Sequence, residues 1–438
     1  MKISTQATEL RVHVLVKALL AVSVAMFAGQ AQSAALEFIP FGSGQYLYNS
    51  NVYRFSSQVA DVTNTTETAD NLQRYTAGLN TNYAYNLWKL QSTVEGRVVR
   101  FDEFTDLDHE ELALGASLSG KLLNNTTGLL SFSHERRMAS FEDRRSTELS
   151  IERDQIVRGQ LRYAVTPDWS VIAGGRYRDL RSPLPAAPAL PQPAPGAPAR
   201  LASPDFAVEE TTYSIGVQYG IEKELAQENE IPILIGILLE EQSVDFNGFN
   251  AQPPPAVGEP FESFDSYKLQ TLQATVDYAV SGLTRLDAKL GVSQYKTAQD
   301  DSASLELTGE IGYERDLSAV TEVNAHLFRR VAPYVATADN TTDTGASVGI
   351  RWEPIVDLSF LADYAWASSS FRSISGLAAE NSGRGDTTKS ANLSVAYALV
   401  DYFTIKLFGI YNERASNLDF NDYSEEIVGI ELSVRLKP

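Results

Sequence analysis

The chain's four histidines, His13, His109, His134 and His326, are the first places to look for chemistry. A general base needs an orienting partner and a nucleophile within hydrogen-bond reach. No Gly-x-Ser-x-Gly turn, His-Glu-x-x-His pair or His/Asp ligand spacing accompanies these residues. His13 falls in the N-terminal segment and His109 in a loop. His134 follows Phe132 on an apolar face, and His326 lies beside Glu322. There is no cysteine, which excludes a disulfide scaffold and a thiolate metal centre. The reading is therefore a non-enzyme with no catalytic residue, no metal and no cofactor.

The other candidates are charges at a spacing of two. They are Glu95 and Arg97; Arg137; Arg158 and Arg162; Arg176 and Arg178; Glu306, Glu310 and Glu314; and then His326, Arg351, Asp363 and Lys406. On a strand, such spacing puts side chains on one face. Arg158, Arg162, Arg176 and Arg178 are expected to form one basic patch. Glu306, Glu310 and Glu314 are expected to form an acidic patch on another wall. Mixed-sign walls of this kind line channels that orient polar solutes.

The elements that position these charges alternate in polarity. Val428, Ile430, Leu432, Val434 and Leu436 interleave with Gly429, Glu431, Ser433 and Arg435. The same pattern runs through Tyr213–Ile221, Leu305–Tyr313 and Leu393–Leu399. Many such segments exceed the roughly 5–6 residues of a globular strand. Several also pass the roughly 9–11 residues that cross a bilayer. Tyr85, Trp88, Tyr163, Trp169, Tyr278, Tyr313, Trp352, Tyr397 and Tyr402 punctuate the segment ends, as membrane interfaces select. Only a closed barrel satisfies every backbone group of a β-structure in lipid.

Composition agrees. Lys plus Arg is 36 and Asp plus Glu is 56, a formal charge of −20, which argues against nucleic acid as partner. Apolar residues make up 43%, enough for an ordered structure. Beyond the N-terminus no run of about 18 apolar residues exists, so a helical membrane bundle is excluded.

Residues 1–35 read as a signal peptide: Lys2, Arg11 and Lys17, an apolar stretch from Ala18 to Ala28, then small residues around Ala31–Ala35. Residues 36–438 read as the barrel. Eight tight connectors are expected at 86–88, 124–127, 166–168, 225–231, 281–283, 316–318, 353–354 and 400–401. Nine longer ones are expected at 56–71, 102–109, 140–145, 182–207, 247–263, 299–302, 333–343, 372–387 and 416–422. Seventeen connections give an all-β, antiparallel up-and-down outer-membrane barrel of about 18 strands. Both termini are then periplasmic. The 182–207 loop carries Pro183, Pro188, Pro193 and Pro198 among other prolines, and is expected to be extracellular. It is read as a mobile loop or as a lid. Basic residues closing the rising strands are read as pairing with local acids, or as contacting lipopolysaccharide.

Tyr48-Asn49-Ser50-Asn51-Val52-Tyr53-Arg54, Asp70 with Tyr75-Thr76-Ala77-Gly78-Leu79, and Tyr411-Asn412-Glu413-Arg414-Ala415-Ser416-Asn417 with Asp422-Tyr423 carry a family resemblance. The chain resembles a family of β-barrel porins found with bacterial exopolysaccharide secretion systems. That resemblance implies an outer-membrane conduit for an extended polysaccharide, a periplasmic polysaccharide export protein as partner, and insertion by the barrel assembly machinery. The chain ends in Leu436-Lys437-Pro438 rather than in the usual aromatic insertion signal. A general or cation-preferring diffusion porin and a plugged structural or adhesive barrel are the alternative expectations.

Overall fold

The structure is a computed structural model. It describes residues 35–63, 65, 67–142, 147–182, 206–221, 233–247, 266–297, 304–334, 339–372 and 383–436. The predicted signal segment before Ala35, the core of the Pro-rich loop with Pro183, Pro188, Pro193 and Pro198, the Pro253–Pro255 cluster and the 225–231 connector lie outside the described residues.

Eighteen strands run in chain order: β1 (Ala35–Asn49), β2 (Asp70–Tyr85), β3 (Trp88–Phe101), β4 (His109–Leu123), β5 (Thr126–Met138), β6 (Ile151–Ala164), β7 (Trp169–Ser182), β8 (Phe206–Ile221), β9 (Ile233–Asn247), β10 (Tyr267–Ser281), β11 (Thr284–Thr297), β12 (Ser304–Ser318), β13 (Thr321–Tyr334), β14 (Asp339–Ile355), β15 (Leu358–Arg372), β16 (Gly385–Val400), β17 (Phe403–Ser416) and β18 (Tyr423–Arg435). Each pairs antiparallel with its sequence neighbours, and β1 also pairs with β18. The sheet therefore closes, and no edge strand is left to expose unpaired backbone.

Eight connections gather at the end that carries both described termini, and nine at the other. The short set includes the two-residue turn Asn86-Leu87, where Asn86 takes φ +54°. That is the left-handed geometry a tight hairpin needs and asparagine tolerates. Two expected turns shift by about three residues: 316–318 is strand, with the turn at 319–320, and 353–354 is strand, with the turn at 356–357. The ends of the Pro-rich loop are corrected too. Ser182 closes β7 opposite Phe206, which opens β8.

Register fixes the two faces. Tyr213, Ile215, Val217 and Tyr219 on β8 are all highly exposed, as are Ile235, Ile237 and Leu239 on β9. Cross-strand partners share a face, so this apolar parity continues around the barrel as one belt. All the aromatics expected at segment ends sit at the short-turn end, where Trp169 packs on Tyr219 at 5.0 Å and Trp352 on Phe360 at 5.0 Å. A second outward set, Tyr46, Tyr48, Tyr75, Tyr213, Trp366 and Tyr411, lies toward the long-loop end. An exposed apolar belt between two aromatic girdles is the surface of a transmembrane β-barrel.

The belt makes a sign-definite prediction. Ile237→Arg places a charge on the lipid face and should cost about 2–4 kcal/mol of stability in vesicles. Gln273→Arg, in register with Leu238 on the inner face, should cost less than about 1 kcal/mol. Urea unfolding of the two variants in phospholipid vesicles checks the difference.

Candidate functional site: the lumen and the segment packed in its mouth

Every predicted pore residue has the inward parity. From Arg97, opposite Thr76 and Glu111, the inner face can be followed strand by strand. It runs through Glu135 and Asp154, Ile156 and Arg178, and on to Glu210. On the far wall Lys289 faces Glu310, Glu322 faces Arg351, and Asp363 faces Asn392. Lys406 faces Glu431 beside the seam with β1.

The expected single-sign patches are interleaved instead. Arg97 pairs with Glu95 and lies 3.2 Å from Glu111 and 3.8 Å from Glu135. Arg137 reaches Glu135 at 3.4 Å and Glu152 at 2.7 Å. Arg178 pairs with Asp154 at 2.8 Å, and Arg176 with Glu210. The proposed basic patch is therefore corrected. Arg176 and Arg178 are neutralised, and Arg162 donates to Ser170 at 3.0 Å. Arg158, directly opposite Arg176, has no carboxylate partner among the described residues. The acidic row is offset likewise. Glu310 accepts from Lys289 at 3.3 Å and from His326 at 2.8 Å, Arg329 lies 3.4 Å from Glu306, and Glu314 faces Arg285. The physical reason is register: neighbours on flanking strands and at i, i+2 on the same strand bring carboxylates beside these arginines, and opposite charges across a ladder assist pairing.

His326 is bound by Glu310, not Glu322, which pairs with Arg351 at 3.5 Å. Its ring stacks on Phe328 at 5.7 Å. His134 has outward parity, opposite Leu114. His109 is not in a loop: it opens β4, buried, with Nδ1 2.7 Å from the Leu107 carbonyl and Nε2 3.2 Å from Glu111.

The feature missed in the sequence is the connection between β1 and β2. It contains a short helix, α1 (Ser57–Thr63), started by the Ser56 hydroxyl accepting from the Val59 amide at 3.2 Å. Val52, Tyr53, Phe55 and Val59 from this segment are buried with Leu47, Leu72, Val99, Phe101, Leu107 and Phe141. Leu47, Leu72, Val99 and Phe101 are inward residues of β1, β2 and β3. The connection thus folds into the barrel and builds a small apolar core against the inner wall, instead of standing out as a loop. Tyr53 is its centre, with ring centroids 4.9 Å from Phe104, 5.1 Å from Phe141 and 5.4 Å from Phe55. Burial, with Asp70 and Asp106 nearby, pushes the Tyr53 phenol up.

Arg54 latches the segment. It takes φ +52°, a left-handed conformation that costs a non-glycine residue about 1–2 kcal/mol. In return its guanidinium reaches Glu425 at 2.9 Å and Glu142 at 3.5 Å and lies over the Tyr423 ring at 5.6 Å. Burial opposes the Arg54 charge, but Glu425, Tyr423 and Glu142 outweigh it and hold its pKa above the usual value. Glu425 is 3% exposed and also accepts from Asn49 and Asn412, each at 2.9 Å. Arg414 joins the same cluster through Glu142 at 3.1 Å and the Asn421 carbonyl at 2.6 Å. Beside this segment remains a cavity of about 940 Å³, lined by Gln45, Arg74, Arg97, Glu111, Glu135, Arg137, Arg178, Lys406, Phe408 and Glu431.

Comparison with known protein families finds no matching family, and a search of curated proteins finds no match. Among solved structures, the chain is similar to OpdQ of Pseudomonas aeruginosa at 12% identity, covering 92% of this chain and 98% of that one, with TM-score 0.42. It is similar to OccK2 (OpdF) of the same organism, solved in complex with glucuronate, at 12% identity over 92% and 98% of the two chains, with TM-score 0.43. The siderophore receptor PirA of Acinetobacter baumannii matches at 8% identity over 91% and 80%, with TM-score 0.44. At such distance, function is argued from the chain's own geometry.

The inward segment has a local stability that can be measured. Tyr53→Ala should remove about 3 kcal/mol of packing from it. Hydrogen exchange should then lose protection at the Val52 amide, which donates to Thr68 at 2.8 Å, while amides of the strands stay protected.

Proposed function

We propose that the protein is an outer-membrane channel for passive passage of polar solutes, with the short turns and both termini in the periplasm. The observation that carries this reading is the closed 18-stranded wall with charged and amide side chains inward on strands all round it. Eighteen strands enclose more space than side chains of the wall fill. The lumen is wet and mixed in sign, so it favours solutes that exchange hydrogen bonds at many weak sites over one tightly held ligand.

The finer reading is a conduit for secreted exopolysaccharide, with periplasmic synthesis and export partners supplying the driving force. The β1–β2 segment packed inside the mouth supports it over an unobstructed diffusion porin, because a polymer conduit must stay closed to small solutes between chains. Inward Gln45, Asn392 and Asn412 beside Arg and Glu supply the donors and acceptors that sugar hydroxyls need. A cation-preferring diffusion porin draws support from the overall −20 charge and from the carboxylates of β10 to β13.

Planar-bilayer recording separates the readings. The intact barrel should pass a small current. Replacing residues 51–66 by a short turn should raise the unitary conductance severalfold, and Arg54→Gln should raise the open probability. A separate deletion of 183–205 tests the Pro-rich loop as a lid. A large current in the intact protein, unchanged by either deletion, selects the diffusion porin. No current in any form selects the plugged or adhesive barrel.

A further inference from the structure

Several outward charges at the long-loop rim meet like charges by register: Lys268 lies opposite Lys296, Asp179, Glu209 and Asp245 form an acidic row, and the longest basic row crosses three strands. On β5, β6 and β7, Arg136 lies directly opposite Arg153, and Arg153 directly opposite Arg181. All three have outward parity, because Phe132, Val157 and Tyr177 occupy the same face four residues closer to the short-turn end. Like charges directly opposite one another on neighbouring strands destabilise a sheet. Only Arg181 is compensated, by Asp179 at 3.0 Å. Arg136 and Arg153 are exposed and have no carboxylate partner among the described residues.

The nearest outward acids do not relieve them. Glu110 is one strand pair from the Arg136 row and makes no ion pair with it. Asp179, Glu209 and Asp245 form their own register row across β7, β8 and β9. Two strand spacings, about 10 Å, separate Arg153 from Glu209. His134, in register with Gln155 below the arginines, adds a ring N–H donor.

Below the row the surface is shaped for hydrocarbon. Phe132, Val157 and Tyr177 form the next apolar row, and then Gly159 faces Gly175. The nearest atom to a Cβ built at Gly159 is 4.0 Å away, so the pair leaves a shallow groove bounded by Leu130 and Leu161. The Tyr177 hydroxyl is covered and has no hydrogen-bond partner among the described residues.

We propose that Arg136 and Arg153 form a binding site for the phosphate of an outer-leaflet glycolipid, whose acyl chain lies along the Phe132–Val157–Gly159 surface. A phosphate between two guanidiniums accepts paired, charge-assisted hydrogen bonds and converts a repulsive row into an attractive one. The groove beneath commits the site to a lipid rather than to a free anion. The inference rests on the outer-membrane reading above.

The test is thermal unfolding of the full mature barrel in mixed micelles with a diphosphorylated glycolipid, its dephosphorylated form, or inorganic phosphate alone. The phosphorylated lipid should raise the unfolding midpoint, by linkage, and the dephosphorylated form should not. Arg136→Gln/Arg153→Gln should weaken the apparent affinity at least about tenfold. The single variant Arg153→Gln should give a smaller loss in the same direction. Lys389→Gln removes an outward rim cation that already pairs with Glu413 at 3.2 Å, and should keep the full response. Equal stabilisation by both lipids, an unchanged response in the double variant, or the same response to inorganic phosphate alone would overturn the proposal. The comparison of lipids on the unmutated protein stands even if the double variant does not fold. Absence of the protein from outer-membrane fractions would instead overturn the reading on which the proposal rests.

Discussion

A backbone amide or carbonyl left unpaired in hydrocarbon costs several kcal/mol, and no side chain on a lipid-facing strand is placed to absorb that cost. The bond between β1 and β18 is where this constraint is met. Nine register pairs from Phe41↔Arg435 to Asn49↔Ile427 join the first strand to the last. Once that seam closes, every residue's side is decided by counting in twos. The lipid belt, the girdles, the ion-pair ladders and the lumen are all consequences of one period applied around a closed ring. A slip of one residue at any seam would place Arg97 or Glu310 in lipid, so the two faces reinforce a single register.

Strand number and pore parity were legible in the chain because both depend on local information. The turn at Asn86-Leu87, the alternation of Tyr213 to Ile221 and the charges at 95–97 or 306–314 are each readable within one hairpin. Partners were not legible, because they are set by which residue of a neighbouring strand lies opposite. Glu310 lies among glutamates in sequence, yet Lys289 and His326 reach it from the flanking strands. The same holds for Arg176 and Arg178, whose acids come from β8 and β6. Arg136 and Arg181 read as basic endings of rising strands, Arg153 carried no sequence signal, and only register makes a like-charged row of the three.

The inward connection between β1 and β2 escaped for a different reason. Its Asn, Thr, Asp and Ser content signals a loop, and outside α1 the described backbone is one. The signal for inward packing was present but scattered. Val52, Tyr53, Phe55 and Val59 are too apolar for a solvated excursion, and Leu47, Leu72, Val99 and Phe101 put a cluster of apolar side chains on the inner face beside it. Apolar residues at lumen parity near one end of a barrel need something to cover them, and this segment is long enough to do so. The outer end of a lumen is therefore the place where a break in alternation carries the most information.

These two kinds of charge arrangement also differ in what they resist. Arg54, Glu425, Glu142 and Arg414 are packed under one another, with Glu425 and Arg414 nearly inaccessible. Removing one member strands another in a poorly solvated place, so the cluster is held as a unit. The lumen pairs further down, such as Lys289 with Glu310 or Arg351 with Glu322, keep 31% or more of each side chain in contact with solvent. Exposed pairs of that kind are worth about 1 kcal/mol or less and exchange readily with a passing hydroxyl or ion. Strong coupling is concentrated at the mouth and weak coupling along the wall. Under the proposed channel reading, such an arrangement would hold the mouth segment firmly and passing solutes loosely.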